Sequence, residues 1–334
     1  MHEQNRELGE RAATGEWPRV AVIGAGAVGC YFGGKLARAG CPVTFLGRPG
    51  PNSSAAVLAR DGLYFDSAEF QETLRVQTST DPSAVRDADV VLLSVKTLDT
   101  ASAAAGLAPH LRSDAIVVSL QNGVENAGVI RESLRAAGGP PAPVVLPSVV
   151  YVAAAMPAPG HLKHNGRGDL VMGAGGDASL APAVERVAQL FTRAGVPCRV
   201  TDNIDTELWV KLVWNCAGNA VSALGRASYG LAGSLEEVRG VMNAVAEEVS
   251  SVARASGVRM PDTDLIAIGV KLAASLGAAK SSTAQDIERG RATEIDSLNG
   301  FVARRGAELG VPTPVNQTLW ALVKLREAAN RQAS

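Results

Sequence analysis

Arg19-Val-Ala-Val-Ile23 runs directly into Gly24-Ala-Gly-Ala-Val-Gly29 and then into Cys30-Tyr-Phe-Gly-Gly-Lys-Leu-Ala-Arg38. The first piece is short, apolar and β-branched, as a buried strand is. The last places Tyr31, Phe32, Leu36 and Ala37 at helical spacing and stops at Gly40. Between them, Gly24, Ala25, Gly26, Ala27, Val28 and Gly29 form a G-x-G-x-x-G turn. The first glycine permits the tight turn, the second lets a pyrophosphate approach the backbone, and the third lets helix and strand pack closely. The free N–H groups at the helix start then favour phosphate. Strand, turn and helix in this order predict a dinucleotide-binding α/β domain. The bland alternative is a glycine turn that only packs.

Pro42-Val-Thr-Phe-Leu46 reads as the second strand and ends at Gly47-Arg48. A site for NAD usually carries Asp or Glu about twenty residues past the turn, whereas an arginine suits a 2′-phosphate. Arg48 therefore favours NADP(H), unless it is an ordinary surface arginine. Asp89-Val-Val-Leu-Leu-Ser-Val95 and Ala115-Ile-Val-Val-Ser-Leu120 are apolar runs of the parallel-sheet kind. They end in Lys96 and in Gln121-Asn122-Gly123. Ligands of open α/β sheets lie beyond such strand ends, so Lys96 and Asn122 are candidate cleft residues. A solvated lysine and an Asn-Gly turn are the ordinary readings.

Three further stretches complete this half. Gly62–Asp66 and Thr73–Thr78 alternate polar and apolar residues and predict a two-stranded excursion. Val144–Leu146 and Ser148–Val152 read as two more strands. The glycine-rich stretch after them carries an edge strand at Asp169–Met172. Helix 180–194 and strand Val196–Thr201 close the half.

Beyond residue 202 helical periods take over. Asp205–Leu224 is apolar almost throughout, with Glu207, Lys211, Asn215 and Asn219 four residues apart on one face. A buried helix with one polar strip needs partners for it, from the protein or from a ligand. Ser234 and Glu237 read as a capping box opening a long helix. Helices follow over Leu265–Leu276, Ile295–Leu309 and Pro314–Ala328. The polar segment Lys280–Gly300 has a bland account: Ser282 with Gln285, and Thr293 with Asp296, as capping boxes, with Glu294 in a first helical turn. The expected organisation is a lead-in over 1–17, a Rossmann-type domain over 18–201 and an all-α domain over 202–330, with ligands in the cleft that such a pair makes.

The 334 residues carry a formal charge of −1, with 46% apolar and 19% charged. No basic field points to nucleic acid, and no apolar run reaches the roughly 18–20 residues that span a bilayer. The first seventeen residues are polar and lack the apolar core of a signal peptide. Four cysteines without metal-type spacing predict a reduced, cytoplasmic protein with no structural metal.

The motifs together resemble the ketopantoate reductase (2-dehydropantoate 2-reductase) family. They are the glycine turn, Arg48, Ser94-Val-Lys96, Gln121-Asn-Gly123, Glu207-Leu-Trp-x-Lys-Leu-x-x-Asn215 with Asn219, Ser281 through Asp296, and Gly310–Asn316. The resemblance implies an enzyme that reduces a small 2-oxo acid with NADPH. It makes Lys211 the general acid and Glu294 the carboxylate that holds the reacting oxygen and lies beside the cofactor. It gives Ser282 to the substrate carboxylate, Asn215 and Asn219 to substrate orientation, and Asn122 and Lys96 to nicotinamide or substrate. A desolvated lysine releases its proton more readily; an ion pair with Glu207 is the competing role. Ala220 stands where many members have proline, and residues 1–17 have no counterpart. The resemblance permits a homodimer. Two other enzyme readings remain, a reductase of another branched or aromatic 2-oxo acid and a 3-hydroxyacid dehydrogenase, against which the Ser282–Glu294 segment argues. A non-catalytic NADP(H) sensor would not need Lys211, Asn215, Asn219 and Glu294 together.

Overall fold

The structure, a computed structural model, describes residues 16–275 and 279–333. The chain divides into two compact units, one through Ile204 and one from Asp205.

The first unit opens with β1 (Val20–Ile23), α1 (Ala27–Arg38), β2 (Val43–Leu46), α2 (Ser54–Asp61), β3 (Leu63–Asp66), β4 (Gln71–Leu74) and β5 (Gln77–Ser79). It continues with β6 (Val90–Leu93), α3 (Thr100–Leu107), β7 (Ile116–Ser119), α4 (Asn126–Ala136), β8 (Val144–Ala158), β9 (His161–Met172), α5 (Ala181–Arg193) and β10 (Cys198–Val200). The strands form one sheet in the order β4-β3-β9-β8-β7-β6-β1-β2-β5, with β10 also paired to β9. From β5 to β8 every pairing is parallel.

The central strands are buried on both faces, and alternate residues feed two separate cores. Val20, Val22, Val90, Leu92, Ile116 and Val118 pack with Phe32, Leu36 and Phe191 of α1 and α5. Ala21, Ile23, Val91, Leu93 and Val117 pack with Leu107, Ile130 and Leu134 of α3 and α4. Continuous apolar runs are therefore what these strands require.

Several expectations change. Thr73–Thr78 is not one strand of a pair. β4 pairs antiparallel with β3, and β5 pairs in parallel with β2 at the other end of the sheet. Both pieces are edge strands with one face outward, so the alternation runs on while the partner changes. Val144–Leu146 and Ser148–Val152 belong to a single strand. Pro147 stands where pairing with β7 ends and antiparallel pairing with β9 begins at Ser148. Asp169–Met172 is not at an edge, because β9 runs on from His161 and has β8 on one side and β3 and β10 on the other. Partners on both sides override the weak strand propensity of its glycines. Residues 1–15 of the expected lead-in lie outside the described residues. Trp17 is packed, with the Arg193 guanidinium 3.7 Å from its ring centroid.

The second unit comprises α6 (Ile204–Gly225), α7 (Tyr229–Ser234), α8 (Glu236–Ala255), α9 (Leu265–Ser275), α10 (Ser282–Glu288), α11 (Asn299–Leu309) and α12 (Pro314–Ala333). Leu276, where the α9 pattern was expected to end, lies outside the described residues. The Ser234–Glu237 capping box does not form. Ser234 ends α7 and its hydroxyl donates to the Leu231 carbonyl, so α8 starts at Glu236 without a side-chain cap. The Thr293–Asp296 capping box does not form: the Thr293 hydroxyl accepts from the Ile295 N–H, and the Asp296 carboxylate is engaged by Trp320 and Lys324 of α12.

Gly33 of α1 lies against the sheet, where an added Cβ would come 2.7 Å from Phe45 and 2.8 Å from Val22. Gly240, inside α8, meets nothing within 4 Å. Gly33→Ala is expected to lower unfolding free energy by about 1–3 kcal/mol through overpacking. Gly240→Ala is expected to raise it by about 0.5–1 kcal/mol through helix propensity. Urea unfolding of the two variants checks both signs.

Candidate active site

The glycine turn joins β1 to α1. Gly24 has φ +101°, a conformation open to glycine, and Gly29 packs so tightly on the Gly24 carbonyl and the Ser94 hydroxyl that no side chain fits. Gly26 is exposed, and a Cβ there would meet nothing within 4 Å. It caps α1 with no side-chain hydrogen bond, and the first turn holds no acidic residue. The helix start is thus unblocked and carries partial positive charge, as a pyrophosphate requires. The Ser94 hydroxyl lies 3.0 and 2.9 Å from the Ile23 and Gly24 carbonyls and holds the turn to the end of β6. Arg48 is exposed just past β2.

Lys96 and Asn122 are half-buried on the loops that follow β6 and β7. A polar network lies behind them. The buried Gln121 amide donates to the Val95 carbonyl at 2.9 Å and to the Thr100 hydroxyl at 2.7 Å, and it accepts from Ser119 at 3.2 Å. Thr100 donates to Asn126 at 3.4 Å, and the Asn126 amide donates to the Asn122 carbonyl at 2.7 Å. The backbone on both sides of the two candidates is therefore fixed by side chains that cannot be removed without orphaning a buried group.

In the second unit, Lys211, Asn215 and Asn219 rise along one face of α6. Lys211 is half-buried, Asn215 is 8% exposed and Asn219 is 2% exposed. The Tyr229 hydroxyl donates to Asn219 Oδ1 at 2.7 Å, and Ser281 Oγ donates to the Asn219 carbonyl at 3.2 Å. Burial pushes the Tyr229 phenol upward, so it stays a donor. Ser281, not Ser282, caps α10 by accepting from the Ala284 N–H at 3.0 Å. Ser282 is the first helical residue and is exposed. The hydroxyl that satisfies the helix is thus the buried neighbour, which removes the capping account of Ser282.

Glu294 is half-buried and precedes a single 3-10 turn, Ile295–Ser297. Its neighbours are engaged elsewhere. Asp296 accepts from Trp320 Nε1 and Lys324 Nζ, each at 2.7 Å. Burial works to raise the Asp296 carboxyl, but the hydrogen bonds from Lys324 and Trp320 outweigh it and hold it below its usual range. Thr293 is tied to Glu327.

Two family models cover most of the chain: ketopantoate reductase PanE/ApbA over residues 20–177, and its C-terminal counterpart over 203–327. The chain belongs to the ketopantoate reductase family. A 2-dehydropantoate 2-reductase of Halobacterium salinarum is 33% identical over 310 residues, 92% of this chain and 99% of that protein. A ketopantoate reductase of this family from Ralstonia eutropha is 45% identical, with a TM-score of 0.84 over 94% of this chain and 99% of that one. D-mandelate dehydrogenase, solved with NADH and anilino(oxo)acetate, has a TM-score of 0.86 over 94% and 99% at 22% identity, which shows the shared fold. The protein is therefore an enzyme, an oxidoreductase of the ketopantoate reductase family.

Within this family chain the glycine turn, Arg48, Lys96 and Asn122 fall in the first unit, and Lys211, Asn215, Asn219, Ser282 and Glu294 in the second. Sequence reading missed the supports behind them: Thr100, Asn126, Tyr229, Ser281 and Glu327. Ser94 and Gln121 stood inside quoted motifs without a role. Among the described residues no three His, Cys, Asp or Glu side chains gather as a metal site, and no helix is long and apolar enough to cross a membrane.

The cysteines are free thiols. Burial pushes Cys30 and Cys41 up to about 12 and Cys198 up to about 11, and raises Cys216 as well. A raised thiol pKa keeps the unreactive protonated form at every lower pH. At pH 8 a thiol near 11 is only about one part in a thousand thiolate. Iodoacetamide at pH 8 is expected to leave the folded enzyme unlabelled over an hour and to label all four cysteines after denaturation. Mass spectrometry reads the difference.

Proposed function

We propose that this enzyme reduces 2-dehydropantoate to pantoate with NADPH, as a step of pantothenate biosynthesis. The observation that carries the reading is the polar strip of α6, Lys211, Asn215 and Asn219, on a mostly apolar helix of a chain whose other unit holds an unblocked glycine turn. The turn suits a dinucleotide pyrophosphate, and Arg48 suits a 2′-phosphate. Bound there, the reduced nicotinamide supplies a hydride to C2 of the substrate.

The chain's own residues do the rest. Charge develops on the 2-oxo oxygen, where the Lys211 ammonium stabilises it and gives up a proton. Once that oxygen carries the proton, the Glu294 carboxylate accepts a hydrogen bond from the new hydroxyl. Asn215 and Asn219 orient the substrate, Ser282 takes its carboxylate, and Lys96 and Asn122 line the nicotinamide end.

Lys211→Ala is expected to bind NADPH normally and to lose at least about 100-fold in kcat, within the range for general acid catalysis. Nicotinamide fluorescence titration and steady-state rates separate the two effects; a fully active variant would refute the assignment. Arg48→Ala is expected to raise KM for NADPH while leaving KM for NADH unchanged, which abolishes the preference. An unaltered NADPH-to-NADH ratio would return Arg48 to an ordinary surface role.

The second reading, a reductase of another branched or aromatic 2-oxo acid, draws on the fold shared with D-mandelate dehydrogenase. NADPH oxidation with 2-dehydropantoate, benzoylformate, 2-oxoisovalerate and 2-oxoisocaproate decides between the two. The first reading expects kcat/KM of about 10⁴ M⁻¹s⁻¹ or more for 2-dehydropantoate, with the others far below.

A further inference from the structure

Glu327 lies on the closing helix, 33 positions past Glu294 in the sequence, yet the two are joined by one short path. It is 5% exposed. Its Oε1 accepts from the Thr293 N–H at 2.7 Å and from the Thr293 hydroxyl at 2.6 Å, and its Oε2 lies 3.4 Å from Lys324 Nζ. Thr293 is 1% exposed and its Oγ1 in turn accepts from the Ile295 N–H at 3.2 Å. One carboxylate and one hydroxyl therefore fix the residues on both sides of Glu294. Trp320 and Lys324 grip Asp296 from the same helix, and Arg304 donates to the Asp296 carbonyl at 2.9 Å. Trp320, Lys324 and Glu327 stand at i, i+4 and i+7, one face of α12. That face is spent on a single turn of chain.

Burying a carboxylate is costly, and a buried ion pair is commonly no more stabilising than apolar side chains of the same volume. The gain here is geometric, because a reacting group must be held within fractions of an ångström. We propose that Glu327 is a positioning residue: through Thr293 it fixes the backbone that carries Glu294 and so sets where the Glu294 carboxylate stands. The inference rests on Glu294 holding the reacting oxygen.

A double-mutant cycle on the full-length enzyme tests it. Glu327→Gln keeps the shape and an acceptor but loses the charge. It is expected to lower kcat/KM for 2-dehydropantoate about 10-fold, within the losses that misplacement of a reacting group causes. In a Glu294→Gln background the same change should cost less than about 2-fold, since there is no carboxylate left to place. Thr293→Val should behave like Glu327→Gln, and Thr293→Ser, which keeps the hydroxyl, should recover most of the rate. Should Glu327→Gln not fold, Thr293→Val carries the cycle. An equal loss in both backgrounds, or no loss in either, overturns the inference and leaves the role of Glu294 standing. A fully active Glu294→Gln enzyme overturns that role first, and the inference with it.

Discussion

A polar group shut away from water is costly without a partner, and in both units side-chain hydrogen bonds answer much of that cost. In the first unit the Gln121 amide meets it by joining the loop after β6 to the loop after β7. Asn126 extends the join to the Asn122 carbonyl. The two loops could each have been mobile, as strand-end loops commonly are. Instead, every member of this network is a donor or acceptor that another member needs. The second unit repeats the device with other side chains. Asn299, fully buried, donates to the Cys216 carbonyl of α6 and to Asn316, and Asn316 together with the start of α12 is held by the Glu248 carboxylate. Hydrogen bonds that add little net stability each thus fix which arrangement of helices is allowed.

The α/β fold was legible because its central strands are buried on both faces. Such strands must be nearly all apolar, and the composition of Val20–Ile23, Val90–Leu93 and residues 116–118 reports that directly. At the sheet margins the sequence reports only that one face is wet. The alternation of Thr73–Thr78 looks the same whether one partner or two lie beside it, and the glycines of β9 conceal a strand whose order comes from its neighbours. Caps failed for a related reason. Ser234 and Ser282 each have a carboxylate or amide three residues on, but a hydroxyl can bond backward as readily as forward, and Ser281 competes for the same helix start.

Residues of the candidate site were legible where burial and polarity clash within one element. Lys211, Asn215 and Asn219 stand out because most of α6 around them is apolar. Glu294 does not stand out in this way. Thr293-Glu-Ile-Asp296 offers two carboxylates, and spacing cannot say which one the protein consumes. In the structure Asp296 accepts from Trp320 and Lys324. The supports Tyr229 and Glu327 were invisible in the sequence, since each works across a helix contact that no local pattern encodes, and the buried bond from Ser281 to the Asn219 carbonyl was equally hidden.

Burial deepens along α6 from Lys211 to Asn219. Eight residues separate Lys211 from Asn219, about 12 Å of helix at 1.5 Å per residue. The Asn219 end is buried and held by Tyr229 and Ser281, and the middle is held by Asn299 at Cys216 and by Trp214, whose indole donates to the Leu265 carbonyl at 2.8 Å. Helical stiffness carries that anchoring outward, so the Lys211 backbone is set although its side chain is only half-buried. As the proton donor proposed above, Lys211 needs both properties. It must stand in one place when the oxygen it serves becomes charged, and it must reach water to be reprotonated before the next turnover. A lysine at the deep end of the strip would lack the second, and one on an unanchored helix would lack the first.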